Sequence, residues 1–236
     1  MSMSEVVEEH TSLIPVINRL GIRLGLQDKT IREICQEHNL DTDFLLIIIN
    51  TFLYEEYFPE KRLKAFHVSK IINYLNQTNQ YYLRYQLPNI AKHLNFFISQ
   101  SKSNNATLSL IEKFFASFKE LLTKQINKDE TEWFPYCLEL SSKIQEDPSF
   151  DEEDFTTENI ESSDDSLEAL LADLKSIMIK HLSGDYNENL CYAVIFAISS
   201  LEKDIRQHNH IRCKILSPII QKMELSLKMK DENNGK

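Results

Sequence analysis

Polar residues occupy positions where the helical pattern of the chain predicts an apolar interior. These positions are Asn79, Gln125, Asp129, Asp164, His208 and Arg212. Gln125 and Asp129 are one helical turn apart, and His208 and Arg212 repeat that spacing. Two side chains one turn apart lie on the same side of a helix and can reach a common point. This is the layout by which four-helix bundles hold two iron ions.

The residue types of this set do not match that chemistry. Bundle iron sites are built from histidines and carboxylates, whereas this set has one histidine, two aspartates, two amides and an arginine. Arg212 would place a permanent cation where the metal charge belongs. We therefore expect no bound cofactor and a core polar network, in which the Arg212 guanidinium pairs with Asp129, Asp164 or both.

Each member of the set also has a simpler structural interpretation. His208 can be a core histidine bonded to a neighbouring polar side chain, which we favour over a metal ligand. Asp129 would be a solvated charge if its helix were rotated by one position, and Asp164 can belong to the preceding loop. If the chain does bind a metal, such as iron, we expect His208, Asp129 and Asp164 to hold it.

The cysteines give no sign of a zinc site or a disulfide framework. They are Cys35, Cys137, Cys191 and Cys213, which lie far apart in the chain. Cys35 is the candidate reactive thiol, but its neighbours Ile31 and His38 do little to activate it, so a structural role is favoured. The chain also has no Gly-rich phosphate loop, GxSxG or HExxH motif. We expect no enzyme activity.

Hydrophobic spacing predicts an all-α protein. Only four glycines and six prolines occur among 236 residues, which suits helices better than a turn-rich sheet protein. Residues 1–60 predict a small module of short helices, with Thr30 and Glu33 forming a capping box. Residues 61–236 predict four long helices with apolar residues three and four apart, the stripe of an up-and-down bundle.

The net charge of −10 is concentrated in one segment. Residues 146–165 contain ten acidic residues and no lysine or arginine, and the rest of the chain carries 26 residues of each sign. We expect 146–165 to be a mobile acidic loop between the second and third bundle helices and 229–236 to be a flexible tail.

The charge distribution does not favour nucleic-acid binding, because a protein without clustered cations binds nucleic acid weakly. The helix-turn-helix pattern within residues 30–58 also lacks side chains that could contact base edges. No apolar run is long enough to span a membrane and no signal peptide is visible, so we expect a cytoplasmic protein.

Four motifs, taken in order, resemble a known bacterial family. They are Gly21-Ile22 followed by Thr30–Cys35, the run NQYYLRYQLP from Asn79 to Pro88, the run QINKDETEWFPY from Gln125 to Tyr136, and the run HNHIRCKILSP from His208 to Pro218. The chain resembles the hemerythrin-like iron-sulfur-cluster repair proteins, also called regulators of cell morphogenesis and nitric oxide signalling. The resemblance covers nearly the whole chain and implies a small helical module followed by a four-helix di-iron bundle.

The chain departs from that family where the iron ligands should be. The resemblance places a histidine at Asn79, Gln125 and Asp164, and a glutamate at Asp129 and Arg212. His208 keeps the family's residue type. No counterpart of the remaining histidine is visible near residues 100–106, and the paired cysteines of the amino-terminal module are missing near Gly25 and Leu26.

Two functions follow from the sequence. The first is a non-catalytic regulatory or interaction protein that has replaced the di-iron centre with a polar network and binds a protein partner or a small ligand. The alternative is a role in iron-sulfur cluster repair or in nitric oxide and oxygen stress, with a reduced metal site. A homodimer is compatible with either function.

Overall fold

The structure, a computed structural model, describes residues 2–54, 57, 67–101, 106–145 and 166–234. Within these ranges the chain is helical and contains no strand, although an isolated antiparallel bridge pairs Ser2 with Thr30. The prediction of an all-α protein is confirmed. The boundary predicted between residues 60 and 61 and the acidic loop 146–165 lie outside the described ranges.

The first part of the chain folds into short helices, and side-chain caps fix the starts of three of them. Ser2 and Thr30 each form a capping box, with Glu5 and Glu33 respectively, and Asp41 accepts a backbone N–H at 2.9 Å. Such caps satisfy the free N–H groups of a first helical turn. The predicted capping box of Thr30 and Glu33 is thus confirmed. The elements are α1 (Met3–Glu9), a 3-10 turn (Thr11–Leu13), α2 (Ile14–Arg19), α3 (Ile31–Glu37) and α4 (Thr42–Leu53).

Longer helices follow, and three of them run directly into π-helical segments. The elements are α5 (His67–Tyr81), π1 (Tyr82–Gln86), α6 (Leu87–Gln100), α7 (Ala106–Lys128), π2 (Asp129–Trp133), α8 (Phe134–Gln145), α9 (Ser166–His181), α10 (Glu188–Asn209), π3 (His210–Leu216) and α11 (Ser217–Asn234). The last helix includes residues 229–234 of the segment predicted as a flexible tail. No helix in the described part of the chain is long and apolar enough to cross a membrane.

A proline stands two residues after the end of each π segment. Pro88, Pro135 and Pro218 follow π1, π2 and π3. A proline inside a helix has no N–H to donate, and its ring collides with the carbonyl four residues earlier. In each case that carbonyl belongs to a residue of the π segment, where the i to i+5 bonding widens the turn. We attribute the π segments to these prolines.

The described chain divides into two compact units. The first unit consists of residues 2–54, 57, 67–78, 134–145 and 210–234, and the second of residues 79–101, 106–133 and 166–209. In the first unit, α3 packs on α4 and α8 packs on α11. Tyr136 of α8 donates its hydroxyl proton to the Glu224 carboxylate of α11.

Among the described residues of the second unit, four helices form a cycle of neighbours. Helix α6 contacts α7 and α10, and α9 also contacts α7 and α10. The apolar stripes of these helices, including Phe97, Phe118, Leu171 and Ile198, form one buried core. The residues of these stripes are three and four apart, as the sequence predicts for helices that bury one face.

Candidate functional site

Asn79 is a fully buried polar side chain, and it is the first residue of the second unit. It lies in the last turns of α5 and has 0% of its surface exposed. Neither its Oδ1 nor its Nδ2 has a hydrogen-bond partner. A buried amide without partners raises the free energy of the folded protein by about 1–3 kcal/mol, because it has lost its hydrogen bonds to water.

Tyr82 and His208 bring two elements together beside that residue. Tyr82 is one turn after Asn79, at the start of π1, and is fully buried. Its ring meets the buried imidazole of His208 from α10 edge to face, with ring centroids 5.8 Å apart. The contact holds the end of α10 against the segment that carries Asn79.

Asp129 enters the same unit from a third element. It is the first residue of π2 and is buried. The next residue, Glu130, accepts a hydrogen bond from Gln80 Nε2 at 3.2 Å, and Gln80 follows Asn79 in the chain. This bond joins the segments that carry Asn79 and Asp129. We call Asn79, Tyr82, Asp129 and His208 the buried polar set.

A charged network fixes α10 against α9 near His208. Glu168 of α9 accepts hydrogen bonds from Arg206 Nε at 3.3 Å and from Asn209 Nδ2 at 3.1 Å. Two turns further along α9, Lys175 pairs with the buried Glu202 of α10. These contacts position the helix that carries His208. The sequence pattern does not predict these contacts between helices, although Glu202 and Arg206 have the i to i+4 spacing of a helical ion pair.

Other predicted site residues are placed differently. Gln125 is half-buried in α7, one turn before Asp129. Arg212 lies in π3, in the first unit, and its Nη1 is 3.6 Å from Cys213 Sγ. The pairing of Arg212 with Asp129 stays a prediction, and Asp164 lies outside the described residues.

Metal and thiol chemistry find little geometric support in the residues described. Among them, no three His, Cys, Asp or Glu side chains are grouped so that they could hold a metal ion. The thiol of Cys35 is buried, and this burial raises its pKa. A raised pKa leaves less of the nucleophilic thiolate at neutral pH, which favours a structural role for Cys35.

The buried polar set offers hydrogen-bonding groups that are shielded from bulk water. An amide, a phenol, a carboxylate and an imidazole can each bind a small polar molecule, and such interactions gain strength away from water. No family model, no curated protein and no solved structure matches this chain.

Proposed function

We propose that this protein is a non-catalytic regulatory or interaction protein whose buried polar set binds a small ligand. The scaffold is a hemerythrin-like, up-and-down four-helix bundle in which a polar network occupies the di-iron position. The cyclic packing of α6, α7, α9 and α10 supports this scaffold, because consecutive helices in such a bundle are neighbours and the last one contacts the first.

The unpartnered amide of Asn79 is the observation that carries the proposal. Leucine has the same branched side-chain skeleton and would fill this position without burying two unpartnered polar atoms. An amide here therefore destabilises the free protein. A ligand that donates one hydrogen bond and accepts another would satisfy both Asn79 atoms and recover that free energy.

The chemistry of Asn79 also selects the class of ligand. A carboxamide edge presents one acceptor next to one donor, and a second amide or a protonated carboxylic acid presents the complementary pair. An uncharged group suits Asn79 itself, because this side chain supplies no charge to offset the desolvation of an ion. Small primary amides are the simplest molecules of this class.

Titration of the full-length protein with acetamide tests this proposal. We expect saturable shifts of the backbone amide NMR signals of residues 76–83, and loss of those shifts in Asn79→Leu. Asn73→Leu is the matched control, because Asn73 lies on the exposed side of the same helix. Acetamide shifts that are absent in the wild type, or that persist in Asn79→Leu, would contradict the proposal.

Metal analysis separates this function from the alternative role in iron-sulfur cluster repair or stress response. Protein purified without oxygen should contain no stoichiometric iron under the proposal. Two irons per chain, or one metal per chain that is lost in His208→Ala and in Asp129→Asn, would establish the alternative instead.

A further inference from the structure

A cleft in the first unit lies between α1 and the loop that precedes α3. Its volume is about 350 Å³, and it is lined by Ser4, Val7 and Glu8 of α1 and by residues 24–28 of the loop. That volume is within the range of small-molecule sites, roughly 300–1,000 Å³. The cleft is therefore large enough for a ligand of several non-hydrogen atoms.

The walls of the cleft are held in place by the backbone. Met3 N–H donates to the Lys29 carbonyl at 2.9 Å, and an antiparallel bridge pairs Ser2 with Thr30. Within the loop, Gly25 has φ +95°, and a Cβ added there would meet no atom within 4 Å. Glycine is thus needed for its backbone angle, and the space beside it is open to a ligand.

The cleft combines an apolar wall with negative charge. Leu24 leaves 61% of its surface exposed to water, whereas Val7 and Leu26, which also line the cleft, are buried. Two carboxylates, Glu8 and Asp28, complete the lining, and neither forms a hydrogen bond or an ion pair with another described residue. An exposed leucine next to two unpaired carboxylates is the complement of a molecule with an apolar stem and a cationic head.

Two basic residues, Arg23 and Lys29, flank the loop segment that lines the cleft, and neither is a lining residue. Lys29 follows Asp28, but its Nζ lies 2.7 Å from Glu37 Oε1 on α3. No basic residue of the described chain is among those that line the cleft. The lining of the cleft therefore contains no cation beside Glu8 and Asp28, and both exposed carboxylates can pair with a cationic ligand.

We infer that this cleft binds a small organic cation, an ammonium or guanidinium group on a short apolar stem. The head would donate charge-assisted hydrogen bonds to the carboxylates of Glu8 and Asp28, and such bonds are stronger than neutral ones. The stem would lie on Leu24 and cover apolar surface that is otherwise in contact with water. The inference does not depend on the function proposed for the buried polar set, which lies in the other unit.

The full-length protein, labelled with nitrogen-15 and kept in phosphate buffer at constant ionic strength, is titrated with n-butylammonium chloride. We expect saturable NMR shifts confined to the amides of residues 4–8 and 24–28. Neutral n-butanol should bind at least about tenfold more weakly, because it lacks the charge-assisted hydrogen bonds. Equal shifts with butanol, or no saturable shift with butylammonium, would overturn the inference.

Matched variants test the role of the carboxylates. Glu8→Gln combined with Asp28→Asn should weaken butylammonium binding at least about tenfold. Glu9→Gln combined with Glu112→Gln removes the same net charge from exposed positions outside the cleft and should leave binding unchanged. Equal weakening in the two double variants would show a general charge effect and sink the inference.

A last arm distinguishes a free cation from a lysine side chain of another protein. Nα-acetyl-lysine methylamide carries the same ammonium group on a peptide unit. Binding of butylammonium at least as tight as that of this derivative supports a free small molecule. Saturable binding of the lysine derivative alone would contradict that assignment.

Discussion

The helix starts of the first unit and the Asn79 position of the second unit show polar side chains in opposite situations. In the first unit, Ser2, Thr30 and Asp41 lie at helix starts near the surface, and each accepts a nearby backbone N–H. In the second unit, Asn79 is deep inside and its amide has no hydrogen-bond partner. The first arrangement stabilises local structure, whereas the second destabilises the fold. The contrast teaches that burial without a partner is the better guide to a functional position.

The largest expected effect tests how tightly the buried polar set is packed. Tyr82→Ala should lower the free energy of unfolding by about 3–5 kcal/mol, because it removes a fully buried ring that packs against His208. Tyr85→Ala is the control on the same segment, since Tyr85 is 65% exposed, and it should change stability by less than about 0.5 kcal/mol. Denaturant unfolding measures both, and equal losses would show that Tyr82 is not part of a packed interior.

A smaller change in the free energy of unfolding, of opposite sign, is expected when the unpartnered amide of Asn79 is removed. Asn79→Leu should raise the free energy of unfolding by about 1–3 kcal/mol, because it removes a buried amide that has no partner. Asn73→Leu, on the exposed side of α5, should gain only the difference in helix propensity, a few tenths of a kcal/mol. A loss of stability in Asn79→Leu would mean that the amide contributes to the free protein, and the distinction between the two units would fail.

The matching test in the first unit removes the Thr30 hydroxyl, which is hydrogen-bonded at the start of α3. Thr30→Ala should lower the free energy of unfolding by about 1 kcal/mol, because the first turn of α3 loses its cap. Thr30→Ser keeps the hydroxyl and should retain most of that stability. If the alanine and serine variants unfold at the same denaturant concentration, the cap is not a local source of stability.

Much of this fold could be predicted because its signals are local. The apolar spacing of each helix placed Asn79, Asp129 and His208 on inner faces, and all three are buried. A capping box spans only four residues, so Thr30 and Glu33 identify it without knowledge of the rest of the fold. Such patterns depend only on residues that are close in the sequence, so they can be recognised without knowledge of tertiary contacts.

The remaining features depend on distant parts of the chain. The ion pair of Lys175 with Glu202 joins two helices, and no spacing rule relates residues 27 positions apart. Whether Asn79 finds a hydrogen-bond partner is likewise decided by its surroundings. The π segments were not predicted for a different reason. Pro88, Pro135 and Pro218 are visible in the sequence, but a proline there indicates a helix end as readily as a π segment.

The smallest effect concerns the titration of Tyr136 in the first unit, an exposed side chain that is hydrogen-bonded to Glu224. The hydrogen bond from Tyr136 to Glu224 is the main cause that raises the pKa of Tyr136 to about 12, from an ordinary value near 10. The folded state thus favours the neutral phenol, so this contribution to stability is complete below pH 10 and is lost as the pH rises through 12. Carbon-13 NMR of labelled tyrosine should show one ring titrating near pH 12. This titration should be absent in Tyr136→Phe and shifted toward pH 10 in Glu224→Gln.

A Tyr136 signal that titrates near pH 10 in the wild type would show that the hydrogen bond to Glu224 does not stabilise the neutral phenol. Because Tyr136 is 44% exposed, water screens the pair, and a partnered polar group here should affect stability less than Asn79 does inside the second unit.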